Sequence, residues 1–175
     1  PRAHGRPGFQ GCQRALQLAP DFAEGHYALA NLWRQQGNLA AARNELQAAL
    51  AIRPDYYEAL VNLGTLSREL NDVSTGRASL QRAIELHPHQ ADAFVFLANL
   101  EAAEQNWPRA LELYRQAEHL VPLSAIVQAR IGTVLQATGH LDEAIVYYRQ
   151  ALVLGPNLAE AHYNLGVAFA SRGQL

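Results

Sequence analysis

Four asparagines, Asn31, Asn62, Asn99 and Asn164, fall on stretches with helical periodicity. An asparagine amide offers both a donor and an acceptor, so it can pair with a peptide group whatever side chain that peptide carries. At helical offsets around them stand Tyr27, Thr65, Phe96, Thr133 and Tyr163, with the guanidinium groups of Arg34, Arg68 and Arg130. Amides, hydroxyls, rings and separated charges make a surface suited to an extended peptide rather than to a point-like substrate. The arginines can pair with acidic residues of a ligand. An acidic row, Glu24, Glu58, Asp92 and Glu160, has a simpler explanation, because carboxylates near helix N-termini are favoured by the macrodipole whatever binds nearby. Catalytic patterns are missing. The seven histidines are dispersed and none forms an i, i+4 pair with an adjacent glutamate. No serine elbow, glycine fingerprint or cysteine-rich spacing is present. All 14 basic residues are arginine, which removes Schiff-base chemistry and the phosphate-binding lysine of a P-loop. The expectation is a segment that binds without catalysis, cofactor or metal.

Composition agrees with a folded binding module. The chain has 175 residues, of which 49% are hydrophobic and 17% charged, enough to bury a core and unlike a disordered segment. A net charge of -2 gives no bulk attraction to phosphate backbones or anionic lipid, so neither nucleic acid nor membrane is expected as a partner. The single Cys12 cannot form an internal disulfide, which leaves the compartment open with the cytoplasm as default. No apolar run approaches the ~20 residues that cross a bilayer. Methionine is absent and the last repeat stops halfway, so the chain reads as a piece of a longer protein.

The elements that position these residues are set by a period. Pro20, Pro54, Pro88, Pro122 and Pro156 stand 34 residues apart in every interval, the mark of stacked copies of one unit. Blocks 23–56, 57–90, 91–124 and 125–158 are complete, with partial blocks 1–22 (a second helix only) and 159–175 (a first helix only), all in one domain. Each block carries two stretches with apolar residues at i, i+3, i+4 and i+7, the spacing of amphipathic helices. Gly37, Gly139 and Gly173 supply left-handed turns between them, and Asn71 takes the same place. Asp72 caps the next helix, and in the third block Asn106 is expected to cap, with Pro108 inside the first turn. The stretch Val73, Ser74, Thr75, Gly76 has poor helix propensity and marks the softest expected element.

Small residues explain how the hairpins stack. One column runs Ala15, Ala49, Ala83, Ala117, Ala151, another Ala30, Gly64, Ala98, Gly132, Gly166, and a third Gly8, Ala42, Gly76, Ala110, Ala144. Helix axes approach closely at such points. Leu29, Leu63, Leu97, Ile131 and Leu165 on first helices, with Leu46, Leu80, Tyr114 and Tyr148 on second helices, fill the layer between.

These offsets in a 34-residue helical hairpin resemble the tetratricopeptide repeat family, and the segments AHYNLG (161–166) and LDEAIVYYRQAL (141–152) read close to its consensus. The position of the usual aromatic near the start of the first helix is held by His26, Leu60, Phe94, Gln128 and His162. The resemblance implies an all-α, right-handed superhelical solenoid of antiparallel helix pairs whose first helices line a concave groove. It also implies a scaffold for a peptide or partner protein bound there by Tyr27, Asn31, Arg34, Asn62, Thr65, Arg68, Phe96, Asn99, Arg130, Thr133, Tyr163 and Asn164. Two uses of the fold are informative. The co-chaperone clamp for a terminal carboxylate needs lysines and an arginine, whereas the matching series here is Tyr27, Asn31, Asn62, Asp92 and Phe96. An acid at Asp92 repels such a partner. The asparagine ladder of the repeat arm in O-linked N-acetylglucosamine transferases is matched at Asn62 and Asn164 but interrupted by Ala28, Phe96 and Arg130. A substrate-presenting arm of a larger enzyme therefore stands as an alternative. A third class is self-association through the last helix, whose Leu165 and Phe169 have no following helix in the sequence to cover them.

Overall fold

The computed structural model describes residues 7–173. The outer parts of both partial blocks, 1–6 and 174–175, lie outside the described residues. Among the described residues the secondary structure is wholly helical, in ten elements. These are α1 (Pro7–Leu18), α2 (Ala23–Gln35), α3 (Leu39–Ile52), α4 (Tyr57–Glu69), α5 (Val73–Leu86), α6 (Ala91–Ala103), α7 (Trp107–Leu120), α8 (Ala125–Ala137), α9 (Leu141–Leu154) and α10 (Ala159–Ser171). First helices start at Ala23, Tyr57, Ala91, Ala125 and Ala159, and second helices at Leu39, Val73, Trp107 and Leu141, so both starts keep the 34-residue period. Among the described residues no helix is long and apolar enough to cross a membrane.

Turn chemistry sets the hairpins. Between the two helices of each block one residue has positive φ: Gly37 (74°), Asn71 (56°), Gln105 (57°) and Gly139 (84°). Glycine and asparagine were expected there; glutamine was not, and it carries the steric cost of the left-handed region. The displaced expectation is Asn106. Its side chain does not cap α7, and its Nδ2 instead donates to Oε2 of the buried Glu101 at 2.9 Å. Elsewhere the Asp72 cap forms as the sequence suggests, and Asn38 adds one that the sequence reading did not single out. Oδ1 of Asn38 accepts from the Ala41 N–H at 3.1 Å, and Oδ1 of Asp72 from the Thr75 N–H at 3.2 Å and the Ser74 hydroxyl at 3.0 Å. This doubly bonded cap gives α5 a secured start despite its weak propensity.

The chain divides into two compact units, Pro1–Pro88 and His89–Leu175, each a stretch of helical-repeat solenoid in which consecutive helices pack on one another. In the first, Ala30, Ala42, Leu46, Ala49, Ala59, Leu63 and Leu66 make one buried cluster. Gly64 sits under Leu80, whose Cγ lies 2.4 Å from where a Cβ would be. In the second, Leu97, Ala98, Ala110, Tyr114 and Ala117 are buried, and Gly132 faces the Tyr148 ring at 2.7 Å from an equivalent Cβ. Ala129, Ala151 and Ala161 close a further cluster. The small columns are thus enforced inside each unit. At Gly8 and Gly166, in the two partial repeats, no described residue lies within 4 Å of where a Cβ would be.

Candidate functional site

In the first unit the polar face of α2 and α4 is a connected network. Asn62 Nδ2 donates to Asn31 Oδ1 at 3.0 Å and to the Tyr27 hydroxyl at 3.2 Å. One turn on, Arg34 pairs with Glu69 at 2.5 Å and reaches Thr65 Oγ1 at 3.5 Å. At the other end Arg53 pairs with Glu24 at 2.7 Å while its guanidinium covers the Tyr56 ring at 3.6 Å. The Glu24 carboxyl is held below its ordinary value, first by its backbone hydrogen bond at the helix start and then by Arg53. Arg68 is exposed and, among the described residues, has no hydrogen-bond or ion-pair partner.

The second unit repeats the pattern with other residues. Tyr114 donates to Asn99 Oδ1 at 2.6 Å. Asn164 Nδ2 donates to Thr133 Oγ1 at 3.3 Å, Tyr148 donates to Gln136 Oε1 at 2.8 Å, and Arg130 pairs with Glu160 at 2.6 Å. Burial raises the Tyr148 phenol above its ordinary value. Tyr163 is 71% exposed and Phe96 half-buried. Val61 and Ala129, which helical spacing puts on the same face, are buried instead.

The networks bring Tyr27, Asn31 and Asn62 together, Arg34 with Thr65, and Thr133 with Asn164. One half of each bridging amide stays unspent. Among the described residues the Nδ2 of Asn31 and Asn99, and the Oδ1 of Asn62 and Asn164, have no partner. A free donor therefore stands beside a free acceptor at the Asn31–Asn62 rung.

One recurrent contact escaped sequence reasoning. His26 Nε2 lies 3.2 Å from the Pro20 carbonyl, His162 Nε2 2.8 Å from the Pro156 carbonyl, and Gln128 Nε2 3.4 Å from that of Pro122. Six residues beyond the periodic proline, a side-chain nitrogen tethers the turn. His26 Nδ1 also meets Glu45 at 2.7 Å. The signal was present in the row His26, Leu60, Phe94, Gln128 and His162, of which Leu60 and Phe94 alone carry no side-chain donor. Among the described residues no three His, Cys, Asp or Glu side chains group to hold a metal ion.

Paired helices at a fixed period, small columns at their contacts and a polar first-helix face define a helical-repeat interaction scaffold. Models of the tetratricopeptide repeat match residues 23–56 and 61–125, and a TPR repeat model matches 132–173. The chain belongs to the tetratricopeptide repeat family. No curated protein matches it. Among solved structures, a crystal structure of MamA aligns with a TM-score of 0.77 at 21% identity, over 83% of this chain and 85% of that one. A crystal structure of the MamA protein gives 0.77 at 23%, over 86% and 82%. YrrB, described as a TPR protein with an unusual peptide-binding site, gives 0.76 at 21%, over 93% and 84%. These likenesses show the fold.

Proposed function

We propose that the first-helix faces bind an extended peptide or a segment of a partner protein, by main-chain hydrogen bonds to the asparagines and ion pairs to exposed arginines. The observation that carries this is the Asn31–Asn62 rung. Its internal bond fixes both side chains, and the remaining donor and acceptor match the C=O and N–H of one peptide unit. Fixing the groups beforehand lowers the ordering cost of binding. Each such bond contributes about 0.5–1.5 kcal/mol net, so useful affinity comes from several rungs together with Arg68, the free cation beside them. The description of YrrB, a fold relative, as carrying a peptide-binding site supports the same class of ligand.

The test is selection of peptides from a displayed random library, followed by anisotropy titration of a recovered peptide. With Asn62→Ala and Arg130→Ala combined, affinity falls about tenfold or more while the helical circular dichroism is unchanged. Unchanged affinity with an intact fold places peptide binding elsewhere on the chain.

A further inference from the structure

The repeats serve as controls for one another on their outer surface. At the column that reads Gln10, Asn44, Ala78 and Glu112, the fourth complete block has Val146; where the others have Gln17, Ala51, Glu85 and His119, it has Val153. In the turn before it, the column Asp21, Asp55, His89 and Asn157 is broken by Leu123. Three columns that are polar or small elsewhere turn apolar together, and all three side chains are exposed: Leu123 by 80%, Val146 by 51% and Val153 by 81%. They surround one hollow of about 560 Å³ within the second unit, between the C-terminal end of α7, the turn after it, the start of α8 and the outer side of α9. Solvated apolar side chains gathered on one concavity are what a docking site requires and what an unused surface has no reason to keep.

Two polar features narrow the occupant. Gln128, only 6% exposed, lines the hollow in the place where other repeats have histidine, leucine or phenylalanine, and among the described residues its Oε1 has no hydrogen-bond partner. Its Nε2 donates to Oε1 of Glu118, the lining carboxylate, at 2.9 Å, which orients that carboxylate while leaving it charged. Arg149, the lining cation, is exposed and meets only the face of the Phe169 ring at 5.5 Å; among the described residues no carboxylate answers it. Among the described residues Glu118 and Arg149 form no ion pair with each other, so Arg149 is the lining charge left without a polar partner.

We propose that this hollow is a second protein-docking site, which takes a short segment carrying bulky aliphatic or aromatic side chains beside an aspartate or glutamate. The apolar groups cover Leu123, Val146 and Val153, and the carboxylate pairs with Arg149. Apart from Gln128 of α8 the site lies on second helices and their turn, and it shares no residue with the first-helix contacts proposed above, so it does not depend on that reading.

The experiment is a titration of the isotope-labelled chain, followed by nuclear magnetic resonance, with two probes: acetyl-Gly-Leu-Leu-Glu-Gly-amide and its counterpart with lysine in place of glutamate. The acidic peptide shifts the Val146, Val153 and Leu123 methyls and the Gln128 side-chain amide saturably, and the basic one binds about fivefold or more weakly. Arg149→Glu reverses the preference, and Val153→Lys, at an exposed position, abolishes both. Equal response to the two peptides, indifference to Arg149→Glu, or no shift up to millimolar peptide overturns the proposal. So does a dimer in sedimentation that Val153→Lys dissolves while the peptides remain silent, an outcome that assigns the hollow to a second copy of the chain. Shifts confined to Asn31 and Asn62 overturn it while leaving the first-helix reading intact. The Asn62→Ala, Arg130→Ala variant, by contrast, retains binding here.

Discussion

Asn62 donates through its side-chain amide to the side-chain oxygen of Asn31 at 3.0 Å, joining two first helices of the first unit. The two residues are not at equivalent repeat positions; each lies on the flank of its helix that leans toward the other. Such a bond between neutral groups contributes about 0.5–1.5 kcal/mol net, and a half-buried donor left alone costs more. Asn62→Ala is expected to lower the unfolding free energy by about 1–2 kcal/mol, since the Tyr27 hydroxyl loses the same donor. A double-mutant cycle with Asn31→Ala, read from urea denaturation, should return a coupling of about 0.5 kcal/mol or more. Zero coupling means the rung has no structural value.

Gly132 and Gly166 occupy one column in the sequence but have different surroundings. A methyl at Gly132 meets the Tyr148 ring at 2.7 Å, and that ring is buried with its hydroxyl bonded to Gln136, so it has no room to swing aside. Gly132→Ala should destabilise by about 1–3 kcal/mol. At Gly166 no described residue lies within 4 Å of the added carbon, and alanine in a helix interior gains about 0.5–1 kcal/mol over glycine. Opposite shifts of the two denaturation midpoints are the expected outcome. The same sign for both contradicts the packing at Tyr148.

Gln105 holds φ at 57° in the turn between α6 and α7, where Gly37 and Gly139 do the same work in other hairpins. Gln105→Gly removes the steric cost of that conformation and adds backbone freedom to the unfolded chain, with a net gain of up to about 1 kcal/mol. A rise in the urea midpoint checks it. A fall shows that the glutamine side chain has a stabilising contact outweighing its backbone.

The period, the hairpins and the stacking columns were legible because they depend on volume and spacing alone. Ala49, Ala83, Ala117 and Ala151 are all 0% exposed, as a column of excluded bulk requires. The left-handed glutamine was not legible, because sequence signals single out glycine and asparagine for positive φ, and the adjacent Asn106 competes as a cap. The candidate face was readable as a set of residue types but not as pairs. Long polar side chains choose partners by reach and angle, so whether Arg34 answers Glu69 or a ligand is decided only in three dimensions. The proline-carbonyl tether at His26, Gln128 and His162 was hidden for a related reason, since it joins chemically unlike side chains to one invariant oxygen.

Asp72 is the cap that starts α5, and its carboxyl is held below the ordinary aspartate range, first by the hydroxyl of Thr75, then by the Thr75 backbone N–H and the Ser74 hydroxyl. A carboxyl whose folded value is depressed binds its proton more readily in the unfolded chain. Its stabilisation is therefore present above the unfolded value of about 4 and is lost as pH falls through the lower, folded value. Thermal melting of the wild type should drop across that acid window. Asp72→Asn keeps an N-cap acceptor but carries no charge to titrate, so its melting temperature at neutral pH should stay close to wild type while its acid loss is smaller. If the two proteins lose stability in parallel below pH ~4, acid sensitivity arises from other carboxylates, and the α5 cap is not what holds the helix start at neutral pH.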